Sequence, residues 1–347
     1  MEPGREGMRI AVDAMGGDHA PDAVIKGAVE SAKQFNGSVE IALVGHGPLL
    51  REKLSHIAYR YRPQSVTVVE ASETVEMGES PVVALRKKRD SSLVVAMELL
   101  KSGQAQAVVS AGNTGAVMAC ALLDVGRLEG VNRPAIASVL PNQRGVTLLL
   151  DAGANTDCRP INLLQFGIMG SLYYRHIFRS PQPRVGLLSI GSENTKGNEL
   201  TLEAHSLLSK SQLNFVGNVE GKDILKGAAD VIVCDGFVGN VILKFAESIV
   251  GLVSATIKEK VAANVRSKLG AFLLAPAFIK FKRKLDYEEY GGAPLLGIDG
   301  VCIICHGGSS PKAIKNAISL AVRVVNSGVN NQVKYQLQRM NNAASHG

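Results

Sequence analysis

The chain has 347 residues, 46% of them hydrophobic and 20% charged, a balance that fits a folded globular protein and excludes an intrinsically disordered one. Its formal charge of +7 favours acidic partners: nucleic acid, an anionic membrane, an acidic protein or a phosphorylated substrate. No uninterrupted apolar run reaches bilayer-spanning length, and Met1–Gly7 lacks the apolar core of a secretory signal, so a cytoplasmic location is expected.

Taken in order, the chain repeats one unit: a short apolar run, a polar glycine loop, then a longer helical pattern. Arg9–Asp13 leads to Gly16 and Gly17, Glu40–Val44 to Gly45-His46-Gly47, and Gln106–Ser110 to Gly112 and Asn113. Val146–Asp151 leads to Gly153 and Asn155, Arg184–Ser189 to Gly191, and Val231–Asp235 to Gly236. Near-continuous apolar strands alternating with helices predict an α/β fold with three layers (α/β/α), Rossmann-like, around a mostly parallel sheet. Ligands then bind at the carboxyl ends of the strands, where these loops lie. The length allows two domains, and we read residues 8–340 as a single catalytic one.

Residues 258–285 break the rhythm. Eight Lys and Arg side chains between Lys258 and Lys284 are opposed by Glu259 alone, and they flank the apolar stretch from Leu269 to Ile279, which Pro276 divides. A pair of short helices rimmed by cations fits either an interfacial membrane anchor or a helical tip inserted in a dimer interface. The membrane-facing candidates are Leu269, Phe272, Leu273, Leu274, Phe278 and Ile279.

The next run, Gly300–Cys305, continues into His306, and Cys302-Ile303-Ile304-Cys305-His306 has the letters of a haem-attachment motif. Without an export signal that reading is weak, and no second Cys or His pair stands at zinc-ligand spacing. The stretch reads better as a buried strand whose loop, His306 to Pro311, opens a helix at Ser309 or Ser310. Pro311 to about Met340 then reads as one helix.

Four of the loops carry candidate chemistry. Asp13 to Pro21 places Asp13, Asp18 and His19 around Gly16 and Gly17. Ser110 to Ala116, with Gly112, Asn113 and Gly115, can turn backbone N–H groups toward an anion. Ser189 to Asn198 adds Glu193, Lys196 and Asn198, and Asp235 to Asn240 runs on to Lys244. Neither G-x-G-x-x-G, a Walker A motif nor G-x-S-x-G occurs, which disfavours nicotinamide, P-loop and serine-hydrolase chemistry. Cys158 is the one cysteine in a polar loop and reads as a packed thiol rather than a nucleophile. Glycine- and asparagine-rich loops without a nucleophile suit a substrate that brings its own, such as phosphate.

The segments AVDAMGGDHAP, SAGNTGA, LLDAGAN, SIGSENTKGNE, GNVEGKDIL, DVIVCDGFVGNVILK, GGAPLLGIDG and HGGSSPKAI occur in this order between about Met8 and Ile318. Together they resemble the bacterial phosphate acyltransferase family. The resemblance implies transfer of a long-chain fatty acyl group from acyl carrier protein to inorganic phosphate, giving acyl phosphate for phospholipid synthesis. It implies a phosphotransacetylase-type fold, a homodimer, peripheral membrane association and a membrane glycerol-3-phosphate acyltransferase as the next consumer. No cofactor, metal or nucleic acid is implied, and the net positive charge suits an acidic carrier protein.

On this reading phosphate attacks the thioester directly, with no acyl-enzyme. The catalytic candidates are Lys196 as a phosphate ligand, Asn113, Asn198 and Asn240 as oxyanion donors, and His306 as the acid for the leaving thiolate. The phosphate-binding candidates are Asp13, Gly16, Gly17, Asp18, Gly112, Gly115, Asn155, Glu193, Asp235, Lys244, Gly307, Gly308 and Ser309, with the acids, Asp151 among them, orienting donors. A short-chain transferase using coenzyme A and a non-catalytic membrane scaffold are the competing expectations.

Overall fold

A computed structural model describes residues 7–57, 65–262 and 265–344. Among the described residues twelve strands form two sheets. The first contains β1 (Met8–Asp13), β2 (Val39–Gly45), β3 (Val66–Glu70), β4 (Ala107–Ser110) and β5 (Ala135–Ile136). The second contains β6 (Ser138–Asn142), β7 (Gly145–Leu150), β8 (Arg184–Leu188), β9 (Asn214–Val219) and β10 (Val231–Val233), after which β11 (Ala293–Leu296) and β12 (Cys302–Ile304) return to the first.

The spatial orders are β3-β2-β1-β4-β12-β11-β5 and β6-β7-β10-β8-β9. β1, β2, β3, β4 and β12 are mutually parallel, as are β7, β8, β9 and β10, while β5, β6 and β11 run antiparallel to a neighbour. The expected parallel sheet is thus present as two. The chain crosses between them at Ala137, whose N–H donates to Pro294 O while Ile136 O accepts from Ala152.

Strands buried on both faces explain the apolar runs: β4 is buried throughout, as are residues Ala11 to Asp13. Helix Asp22–Phe35 lays Ala23, Val24, Ile25 and Ala28 on the core and ends at Asn36, whose φ of 46° makes the left-handed cap. At Gly27 a side chain would stand 2.6 Å from Pro311 O and 2.7 Å from Ile314 Cβ. Glycine there lets helix Pro311–Ser327 lie against helix Asp22–Phe35, which sets the loop before each beside the other.

Two helical expectations change. The final segment is two helices, Pro311–Ser327 and Val329–Ala344, because Gly328 takes φ +62° and closes the first. Pro276 stands inside one helix, Val265–Leu285, rather than between two short ones. A proline removes one backbone donor, and on an exposed helix water can satisfy the released carbonyl.

The preceding helix, Gly236–Ala262, exposes Phe237, Val241, Phe245, Ile249 and Leu252. Over Gly236–Val261 it is long and apolar enough, by length and composition alone, to cross a bilayer, and 11% of its most apolar window is buried in the chain. Lys244, Glu247, Lys258, Glu259 and Lys260 interrupt that run. On the next helix Leu269, Phe272, Leu273 and Leu274 are exposed; the side chains of Phe278 and Ile279 lie outside the described residues.

Candidate active site

Asp13 ends β1 with its carboxylate buried. Oδ1 accepts the Ser92 hydroxyl at 2.6 Å, and Oδ2 accepts the Ser110 hydroxyl at 2.7 Å. Ser110 Oγ in turn accepts Gly112 N–H at 3.1 Å. Burial pushes the Asp13 carboxyl above the usual carboxylate range, against the opposing pull of the two serine donors. The carboxylate therefore works as a fixed acceptor that knots the β1 loop, the β4 loop and the start of helix Ser92–Lys101.

The β12 loop joins this knot. Cys305 N–H donates to Ser110 O at 2.8 Å, and Asp18 N–H donates to Gly307 O at 2.8 Å. Backbones pack so closely here that a side chain on Gly16 would overlap Asp13 Oδ2 and reach 2.8 Å from Gly112 N. One on Gly17 would meet Gly307 O at 3.0 Å, and Gly17 also takes φ +109°. The Asp18 carboxylate borders Gly307 and Gly308, within 3.3–3.7 Å of where their side chains would begin. Asp18 is exposed and does not cap the following helix, Asp22–Phe35, whose N-cap position is Pro21 and which has no side-chain cap.

His306 is exposed and its Nδ1 accepts Gly308 N–H at 3.1 Å, which leaves the proton of the neutral ring on Nε2. Ser309 gives its hydroxyl to His306 O at 2.6 Å, so Ser310, not Ser309, caps helix Pro311–Ser327 through Ala313 N. Asn113 caps helix Thr114–Cys120 by accepting Ala116 N–H at 3.0 Å, and its amide donates to Met77 O at 2.7 Å. That bond straps the 77–81 segment over the site, with Pro81 Cγ 2.9 Å from a side chain placed on Gly115. The N–H groups of Gly112, Gly308 and Ser309 are used within their own loops, whereas those of Thr114 and Gly115, in the helix's first turn, have no acceptor inside the helix.

A second knot stands at the carboxyl ends of β7 and β10. Asp151, fully buried, accepts Ile136, Gly153 and Ala154 N–H at Oδ1 and both the N–H and the amide of Asn155 at Oδ2. Burial raises this carboxyl too, with the backbone donors pulling the other way. Gly236 N–H donates to Asn155 O at 2.6 Å, which seats the start of helix Gly236–Ala262, and Asn240 lies 3.5 Å from a side chain placed on Gly153. Asp235 caps that helix through Val238 N at 2.9 Å. Ala152, Ala154 and Leu243 share an apolar cluster with Ala116 and Val117, so this knot packs against the helix behind the Gly112 loop.

In the third loop, Asn198 Oδ1 accepts Thr201 N–H at 3.0 Å as a helix cap, and Ser189 Oγ donates to Lys196 O. Glu193 and Lys196 are exposed; among the described residues Lys196 has no ion-pair partner. Lys244 does pair, its ammonium 2.9 Å from Glu247 on the exposed helix. Cys158 Sγ lies 3.6 Å from Asn155 O, and burial, with the Asp151 charge second, pushes its thiol up to about 12. Among the described residues no three His, Cys, Asp or Glu side chains converge as metal ligands.

The structure thus brings Asp13, Gly16, Gly17, Asp18, Gly112, Gly307 and Gly308 into one cluster, and Asn155, Asp235 and Asn240 into a second. Ser92 and Met77 had no local signal in the sequence, because their partners lie 79 and 36 residues away.

Residues 8–332 match a family described as "Fatty acid synthesis protein". The phosphate acyltransferase of Pelotomaculum thermopropionicum is 53% identical over 90% of this chain and 90% of its own length, and that of Heliobacterium modesticaldum is 54% identical over 90% and 93%. The chain belongs to the phosphate acyltransferase family. Among solved structures, a phosphotransacetylase from Streptococcus pyogenes superposes with a TM-score of 0.62 at 16% identity, covering 92% of this chain and 94% of its own. A branched-chain phosphotransacylase from Enterococcus faecalis superposes at 0.55 and 13% identity, covering 92% and 99%. At such identities these two support the three-layer fold, and the family membership supports an acyltransferase.

Proposed function

We propose that the chain transfers a long-chain acyl group from acyl carrier protein to inorganic phosphate. The observation that carries this reading is the convergence of three glycine loops at the carboxyl ends of β1, β4 and β12, drawn together by Asp13 and by the Asp18–Gly307 bond. Such loops suit an anion, since backbone N–H groups and a helix start supply positive potential without a bulky side chain.

A hydrogen phosphate oxygen attacks the thioester carbonyl carbon, the new C–O bond forms, the C–S bond breaks, and the departing carrier sulfur, held by a hydrogen bond from His306 Nε2–H, takes up the proton that the phosphate gives up. Thr114 and Gly115 N–H with Lys196 hold the phosphate, while Asn113 stays a cap and strap. Asn198 and Asn240 are the remaining oxyanion donors, and Gly112, Gly307, Gly308 and Ser309 shape the cradle. The Cys158 thiol, held protonated, supports direct attack without an acyl-enzyme.

Residues 8–340 act as one catalytic unit with 258–285 as its tip. The exposed Leu269, Phe272, Leu273 and Leu274 beside Arg266 and Lys268 support peripheral attachment to a membrane, and the bare face of helix Gly236–Ala262 supports a homodimer. A membrane glycerol-3-phosphate acyltransferase would consume the product, and the site of action is cytoplasmic.

The test incubates the protein with tetradecanoyl-acyl carrier protein and phosphate and traps acyl phosphate with hydroxylamine. Phosphate-dependent hydroxamate is expected. Product from acetyl-coenzyme A but none from the carrier-bound donor would replace this reading with the short-chain one. Lys196→Ala is expected to raise the phosphate KM at least ten-fold, and an unchanged phosphate dependence would remove Lys196 from the site.

A further inference from the structure

A cavity of about 420 Å³ opens at the carboxyl ends of β8 and β10, beside the Ser189–Asn198 loop. We infer that it holds the acyl chain of the donor, with the thioester end at the Asn198–Asp235 rim. The inference rests on the reaction proposed above and adds to it the subsite that selects long chains.

Depth and polarity are graded together. Leu163, Leu188 and Cys234 form the floor, with exposures of 0%, 8% and 4%, while Ile190 at the mouth is 82% exposed. Ser189, Asn198, Thr201 and Asp235 bring the polar atoms. Among the described residues the lining holds no cation, and its one charge is the carboxylate of Asp235. A lining without a cation offers phosphate no counter-charge, whereas an alkyl chain laid along Leu163, Leu188, Val238 and Ile242 gains by leaving water.

The size fits as well. At ~30 Å³ for a water-sized group such as a methylene, a cleft of about 420 Å³ that opens to solvent has room for a substantial part of a long chain. Asn198 lines the cavity and lies two residues from Lys196, the proposed phosphate ligand, so a chain seated in the cavity would present its carbonyl beside that loop. Each methylene that enters is worth roughly a four-fold gain in binding.

Gly221 supplies the test. It lines the cavity, a side chain placed on it meets nothing within 4 Å, and its φ is not in the left-handed range, so a larger residue grows into open space without straining the fold. Wild type, Gly221→Ala, Gly221→Leu and Gly221→Phe are compared on butyryl- and tetradecanoyl-acyl carrier protein, with thermal melting as the check on folding. We expect Gly221→Phe, and Gly221→Leu to a smaller degree, to lose at least ten-fold in kcat/KM on the fourteen-carbon donor while butyryl transfer stays within two-fold and Gly221→Ala behaves as wild type. An equal loss on both donors would place the carrier's arm in the cavity and overturn the inference, as would an unchanged profile in a folded variant. Wild type that makes acyl phosphate from neither donor would instead remove the proposed reaction, and the inference with it.

Discussion

Gly16→Ala tests whether the three-loop knot positions phosphate. The added methyl would overlap Asp13 Oδ2 and stand 2.8 Å from Gly112 N and 2.9 Å from Gly112 Cα. Ordinary carbon contacts begin near ~3.5 Å, so the β1 and β4 loops must part by roughly 0.6 to 0.7 Å. Asp13 cannot yield cheaply, because Ser92 and Ser110 hold both its oxygens. Overpacking of this kind costs about 1–3 kcal/mol of stability, which leaves a chain of this size folded at room temperature. The site suffers more, since a 1 Å misplacement costs about 10²-fold in rate, or about 2.7 kcal/mol. Hydroxamate formation at varied phosphate, beside a urea melt, reads both quantities. Activity within three-fold of wild type in a destabilised Gly16→Ala protein would refute the reasoning, because the loops would then have moved without consequence.

Other expectations follow from the same contacts. Asp13→Ala leaves two serine hydroxyls without their acceptor and is expected to cost about 2–5 kcal/mol in urea unfolding; a loss below 1 kcal/mol would mean the knot is not structural. Because burial raises the Asp13 carboxyl, the folded chain binds its proton more tightly than the unfolded chain does. Its stabilising contribution is then whole below about pH 4 and is lost as pH rises through the folded value. The advantage of wild type over Asp13→Asn should shrink between pH 4 and pH 8, and an advantage that grows would reverse the sign. With its thiol near 12, Cys158 is thiolate in about one molecule in 10⁴ at pH 8, so Cys158→Ser should keep wild-type turnover. Changing Leu269, Phe272 and Leu273 to serine is expected to weaken binding to anionic vesicles at least 10³-fold, at about 1.5 kcal/mol or more per buried side chain. Undiminished vesicle binding would assign that surface to another role.

Much of this was legible because buried parallel strands must be apolar throughout and must end in loops. β1, β2, β4, β7, β8, β10 and β12 all stood out on that ground. β3, β5, β6, β9 and β11 did not. β5 has two residues, and β9 alternates exposed and half-buried positions through Asn214-Phe215-Val216, so neither makes an apolar run. The division into two sheets is likewise a matter of pairing: the one-residue gap between β5 and β6 gives no composition signal. At the site, the glycines and aspartates were readable as loops, but not which of them touch. Ser92 reaches Asp13 only through tertiary packing, and Asn113 turned out to spend its amide on the 77–79 strap. The break at Gly328 shows the converse: one φ of +62° ended a helix that the apolar pattern alone would have continued.

Direct attack by phosphate is tested most plainly by a single turnover in which enzyme exceeds donor. Labelled tetradecanoyl-acyl carrier protein is mixed with the protein in the absence and presence of phosphate, and both free carrier and protein-bound label are followed. Direct attack predicts no carrier released and no label on the protein until phosphate is added, then release of both carrier and acyl phosphate at one rate. One equivalent of carrier freed without phosphate, with the acyl label left on the chain, would contradict it.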